Sequence, residues 1–262
     1  MQLDVMKSFS RTVMTVLAVG LALSLAACGS KGGDSPDLPK AAALATVPPP
    51  AGKAWSDVVE ATAEDGMRMG NPDAPIKVVE YGSLSCPHCA KLAQDGMQSL
   101  ISKYVDSGRV SYEFHSYAIH GPIDLPLTVL VRCASPEAFF PLVEQLYATQ
   151  EDWMKYVEAN TDKAQAAFNQ PPAKRYVAVA QALGFIDWFA ARGISVDQAE
   201  ACLSKPEDLQ KVADDTQKWF QQDGIDKTPT IYINGAKTEI ATWGPENGEP
   251  GLEVALQNAG AR

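Results

Sequence analysis

The tightest constraint in this chain is a pair of cysteines three positions apart, Cys86-Pro87-His88-Cys89. At a helix start, two thiols at that spacing lie within one turn and can cycle between dithiol and disulfide. Upstream, Ile76-Lys77-Val78-Val79-Glu80-Tyr81 reads as a buried central strand. Downstream, Leu92, Met97, Leu100, Ile101, Tyr104 and Val105 recur at helical spacing, and Gly108 stops the helix. Val110, Tyr112 and Phe114 then alternate with Ser111, Glu113 and His115, which is strand-like. The order strand, helix, strand predicts a βαβ unit with the thiols at the helix N-terminus.

The N-terminus speaks to compartment. Lys7 and Arg11 precede an apolar run over residues 12–27. That run is short for a bilayer span, which needs about 20 residues, and suits a signal peptide. It ends Leu25-Ala26-Ala27-Cys28, which resembles a bacterial lipobox and implies cleavage after residue 27 and lipidation of Cys28. Acyl chains contribute about 0.8 kcal/mol per buried methylene, so several would hold the protein at a membrane. An ordinary cleavage site beside a chance cysteine is the alternative. Gly29, rather than Asp, follows Cys28, which leaves inner and outer membranes of a bacterial periplasm both open. Residues 28–54 carry Pro36, Pro39 and Pro48-Pro49-Pro50 without apolar periodicity, the composition of a tether.

Residues 55–262 suffice for one domain with an insertion. Residues 64–69 read as a short edge strand and residues 71–75 as a turn. The pattern is helical over residues 125–222, with Pro136, Pro171, Pro172 and Pro206 near helix starts and Gly184 as a stop. Trp153, Trp188 and Trp219 suit the core, or a groove. Thr230-Ile231-Tyr232-Ile233 is a strand, Asn234-Gly235 a type I′ hairpin turn, residues 236–240 the return strand, and residues 252–258 a terminal helix. His115 and His120 read as surface or loop residues. The net charge of −10, with no basic stripe, argues against nucleic acid as a partner.

Five cysteines are an odd number for an exported chain. Lipidation would remove Cys28, and the redox pair removes Cys86 and Cys89. Cys133 and Cys202 remain, either as a structural disulfide in an oxidising compartment or as two separate buried thiols.

The Cys86-Pro87-His88-Cys89 motif, the long helical insertion and Thr228-Pro229 just before a strand together resemble the DsbA-like branch of the thioredoxin superfamily, over residues 55–262. The resemblance implies an α/β thioredoxin-like fold, β-αβ then ββα, with a helical insertion of about 100 residues. It implies a cis peptide before Pro229, facing the thiols, with Thr228 and Pro229 presenting backbone to a substrate. Cys86 is then the nucleophile, favoured as an anion by the helix N-terminus, and Cys89 the resolving thiol. Pro87 stiffens the first turn. His88 stabilises the Cys86 thiolate or is a solvent-exposed loop residue. Glu80, at the family's acidic position beneath the cysteines, relays a proton or is an exposed strand residue.

A thiolate stabilised in this way makes the disulfide a better oxidant, at roughly 30 mV per pKa unit. The expected activity is donation of the Cys86–Cys89 disulfide to reduced exported proteins, with re-oxidation by a DsbB-like, quinone-linked membrane partner and no cofactor. One departure favours an alternative. Thr228 stands where the best-known DsbA oxidases carry Val, and threonine there is familiar from periplasmic isomerases and from several DsbA-like subfamilies, so an isomerase or reductase remains open. Isomerases often dimerise, and no dimerisation segment is evident in residues 29–54, so a monomer is expected. A Cu(I)-binding lipoprotein using Cys86, Cys89 and a histidine is the reading from another class; it lacks a Met-rich or His-rich tract.

Overall fold

The computed structural model describes residues 41–262, so the signal peptide expected over residues 1–27 and the expected lipidation site Cys28 lie outside it. A six-stranded sheet in the order β1-β2-β4-β3-β5-β6 forms the centre. Its strands are β1 (Val59–Ala61), β2 (Met67–Gly70), β3 (Ile76–Gly82), β4 (Val110–Ser116), β5 (Thr230–Ile233) and β6 (Ala236–Lys237). Only β3 and β4 pair in parallel, because the helix α1 (Pro87–Ser99) crosses between them. The other pairings are antiparallel.

Between β4 and β5 the chain makes eight helices: α2 (Gly121–Arg132), α3 (Pro136–Ala148), α4 (Gln150–Ala159), α5 (Thr161–Ala167), α6 (Pro172–Ala182), α7 (Phe185–Ala190), α8 (Val196–Leu203) and α9 (Pro206–Gln222). The insertion thus starts four residues before the expected position 125, because Gly121-Pro122 opens a helix whose first turn is not apolar. Pro87, Pro136, Pro172 and Pro206 each sit in a first helical turn, where a missing N–H costs little. The helix α10 (Leu252–Asn258) closes the chain.

Three local expectations change. The edge strand expected over residues 64–69 is a hairpin: β1 pairs with β2, and Asp65, at φ 63°, lies in the turn between them. The helix after the thiols ends at Ser99 and runs on through a π-helical stretch, Leu100–Val105. The return strand β6 stops at Lys237, where Thr238 Oγ1 donates to Ile231 O and accepts from Ile240 N, turning the chain away. At the hairpin itself, Asn234 and Gly235 both have positive φ, 49° and 79°, as a type I′ turn requires.

Residues 41–54, expected as tether, lie along the domain. Ala41 N donates to Asn258 O, Leu44 N to Gly260 O and Val47 N to Ser107 O, each at 2.9 Å. Trp55 Nε1 reaches back to Val47 O at 2.8 Å. Leu44 packs against the core and supplies the apolar contact that composition alone did not reveal. Among the described residues, no helix is long and apolar enough to cross a membrane.

Trp153 and Trp219 are core residues, whereas Trp188 is half-buried beneath the Arg192 guanidinium. His115, expected at the surface, is buried. It stacks on Tyr81, meets Trp219 edge-on, and sets Nε2 2.9 Å from Glu113 Oε1. The alternation of β4 put it on the face that α9 covers, and a strand's outward face becomes interior once a helix packs on it. Cys133, at the C-terminus of α2, and Cys202, in α8, form a disulfide with a Cα–Cα separation of 6.2 Å.

Candidate active site

Cys86 is the N-cap of α1, with extended backbone (φ −79°, ψ 124°), and Pro87 occupies the first helical position. Both thiols are free and buried, Cys89 completely. The Thr228–Pro229 peptide is cis, and Thr228 O lies 3.5 Å from Cys86 Sγ, within reach of the thiol as donor. Two residues 142 positions apart in sequence therefore face each other across the site.

The two thiols are electrostatically opposite. Cys86 is pulled down from 9.0 to about 4, first by a hydrogen bond from the Cys89 thiol. The Thr228 side chain, as distinct from its carbonyl, and the backbone N–H groups of Cys89 and His88 add to this, against the cost of burial. Cys89 is pushed well above its ordinary value, first by burial, then by its bond to Cys86 and by the charges of Glu80 and Cys86. A helix N-terminus thus favours a thiolate at Cys86 while Cys89, three residues on in the same turn, keeps its proton. His88 is exposed, so its identified help to Cys86 comes through the backbone N–H.

Glu80 projects from β3 toward the thiols and is only 4% exposed. Burial raises its pKa from 4.5 to about 7, Tyr112 lowers it by hydrogen bonding, and the Cys86 charge raises it again. Glu80 is therefore the buried carboxyl of the two alternatives, able to hold or release a proton near neutrality.

The sequence did not single out the residues that hold the loop from β3 to α1. Asp124, 1% exposed in the first turn of α2, accepts from Ser83 Oγ (2.9 Å), Ser85 N (3.0 Å) and His120 N (3.0 Å). Tyr147 Oη donates to Ser83 O at 3.1 Å. Gln150 Nε2 donates to Leu84 O and Cys86 O, at 3.1 and 3.2 Å. The available signal was an acid at the head of the otherwise apolar run 125–131. Beside the motif opens a cavity of about 460 Å³, lined by Ser85, Pro87, Ala90, Gln94, Gln150 and Met154 among others.

A thioredoxin family model matches residues 62–244, well over half of the chain. The chain belongs to the thioredoxin family. A putative protein-disulfide oxidoreductase of Rickettsia bellii is 28% identical over 180 residues, covering 67% of this chain and 60% of that relative. The chain therefore spans about three-fifths of the length of this curated relative. Among solved structures, a protein-disulfide isomerase from Novosphingobium aromaticivorans superposes with a TM-score of 0.63 at 25% identity, covering 75% of this chain and 94% of that one. Wolbachia pipientis α-DsbA1 superposes with a TM-score of 0.51 at 21% identity, over 63% of this chain and 73% of that one, a likeness of fold. This member is DsbA-like in architecture: a thioredoxin fold whose long helical insertion separates the redox motif from the cis-proline strand.

Proposed function

We propose that the protein is a thiol–disulfide oxidoreductase that donates the Cys86–Cys89 disulfide to reduced exported proteins. The observation that carries this is the asymmetry of the two thiols, a stabilised thiolate at Cys86 beside a buried thiol at Cys89. Such a pair favours its own reduced form and therefore passes its disulfide on. A substrate thiolate attacks Cys86 Sγ, the Cys86–Cys89 bond breaks, and Cys89 leaves as a thiolate that takes up a proton. A second substrate thiolate attacks the substrate sulfur of the mixed disulfide and expels the Cys86 thiolate. The substrate gains a disulfide and loses two electrons, which the dithiol keeps. Glu80 supplies the proton to Cys89, and the Thr228–Pro229 backbone aligns the substrate segment.

Within the same reading, residues 1–27 direct export, Cys28 carries lipid at a periplasmic membrane surface, and a DsbB-like quinone-linked oxidase restores the disulfide. Labelling with a fatty-acid analogue that persists in Cys28→Ala would contradict the anchor. Isomerisation is the second reading, supported by Thr228 and by the name of the Novosphingobium relative. Stoichiometric oxidised protein, mixed with a reduced, unfolded disulfide protein, is expected to form its disulfides, and Cys86→Ala to abolish this. If only the reduced protein acts, and only on scrambled substrate, isomerase replaces oxidase.

A further inference from the structure

The helical insertion grips the loop ahead of Cys86 through three side chains, Asp124, Tyr147 and Gln150. One of them is a carboxylate. Asp124 Oδ1 accepts Ser85 N–H, the backbone of the residue before Cys86. Oδ2 accepts Ser83 Oγ and His120 N–H. Three donors from two segments converge on one buried acid, the arrangement that makes an interior carboxylate tolerable. The turn is closed from within by Cys86 N donating to Ser83 O at 3.2 Å. It is closed from outside by Ser85 Oγ on His120 Nδ1 at 2.8 Å, through a half-exposed ring.

From this geometry we infer that Asp124 is a positioning residue for the nucleophile, fixing residues 83–85 so that Cys86 Sγ stays within reach of the backbone N–H groups of α1 and of Thr228. The inference rests on Cys86 being the reactive thiol. Asp124 touches no reacting atom and acts through the Ser85 backbone. Its distinguishing property is that both oxygens must accept. In Asp124→Asn, an amide nitrogen at Oδ1 would face Ser85 N–H, and one at Oδ2 would face His120 N–H. Neither orientation satisfies the site, although the shape is unchanged. The loop must then shift, and the donors to the thiolate lose alignment.

The test reads the Cys86 thiolate by its ultraviolet absorbance against pH, together with the thiol–disulfide equilibrium against glutathione. In Asp124→Asn the titration is expected to move to higher pH. The equilibrium should move at least tenfold toward the disulfide, which corresponds to about 30 mV for this two-electron couple. Ser83→Ala, which removes one donor and leaves the backbone intact, should shift both in the same direction by less. The double variant should add little to Asp124→Asn, because both act through one carboxylate. A purely structural role would lower the melting temperature of Asp124→Asn while leaving titration and equilibrium within twofold of the parent, and that result overturns the inference. If Asp124→Asn does not fold, Ser83→Ala decides alone, and an unchanged titration overturns it. Cys86→Ala serves as the separate control: a thiolate signal that survives it would contradict the nucleophile assignment and not the role of Asp124.

Discussion

Tyr112 Oη donates a 2.7 Å hydrogen bond to Glu80 Oε2, between neighbouring strands and with both side chains buried. Without that bond the carboxyl would stand higher still, because burial is the larger influence. The pair places a group titrating at about 7 close enough to the thiols for its charge to raise Cys89.

Glu80 should make its ionised form costly to fold. Its folded value of about 7 lies above the ordinary 4.5, so between those pH values the folded state keeps a proton that the unfolded state releases. Stability from this group is complete below pH 4.5 and is lost as the pH rises through 7. Glu80→Gln mimics the protonated form and can still accept from Tyr112. Urea unfolding of the reduced proteins is expected to show the variant more stable at pH 8, by about 3 kcal/mol, and equal to the parent at pH 4.5. A pH-independent difference would contradict the burial argument.

Cys86 acts in the opposite sense. Its folded value of about 4 lies below the ordinary 9.0, so between them the reduced folded state has released a proton that the unfolded chain holds. The stabilisation is complete above pH 9 and disappears as the pH falls through 4. The stability of the reduced protein relative to the oxidised one should therefore rise between pH 4 and pH 7, by at most about 4 kcal/mol. Comparing unfolding midpoints of the two forms at both pH values checks this. A gap that does not change with pH would contradict a thiolate in the reduced site.

The second disulfide should be structural. Cys133 and Cys202 are separated by 69 positions and tie α2 to α8. Closing a loop of that size contributes about 4 kcal/mol on the chain-entropy model. Cys133→Ala/Cys202→Ala is expected to unfold at lower denaturant by an amount of that order, read from the urea midpoint, while the oxidised Cys86–Cys89 pair still exchanges with a substrate thiol. Loss of exchange without loss of stability would contradict a structural role.

Gly96 lets α1 lie against the indole of Trp243, where an added Cβ would overlap the ring. Gly96→Ala is expected to cost about 1–3 kcal/mol by overpacking, despite its better helix propensity, as measured by urea unfolding. A stabilised variant would contradict the tight contact.

The candidate site was legible because its marks are short local patterns. Cys86 and Cys89 share one helical turn, Pro87 marks the helix start, and Thr228-Pro229 precedes a strand whose alternation is plain. The individual strands followed from their own alternation, apart from β1, whose three residues are too short to alternate visibly, whereas their order across the sheet did not. The support of the site was not legible. Asp124, Gln150 and Tyr147 reach the Ser83–Cys86 loop across 39 to 66 positions, and no spacing rule encodes such a contact. His115 looked exposed because a strand's pattern does not announce the helix that will cover its second face. Leu44 looked like tether because one apolar residue among prolines carries no period.

If a stabilised Cys86 thiolate makes this pair an oxidant, as proposed, the equilibrium potential of Cys86/Cys89 against glutathione must lie well above that of a reductase. Thioredoxin combines a nucleophile pKa of about 7 with a potential of about −270 mV. A Cys86 value of about 4 lies roughly three units lower, worth about 90 mV, so the potential is expected near −180 mV or higher. A value close to −270 mV would mark a reductase-like pair and overturn the oxidant reading.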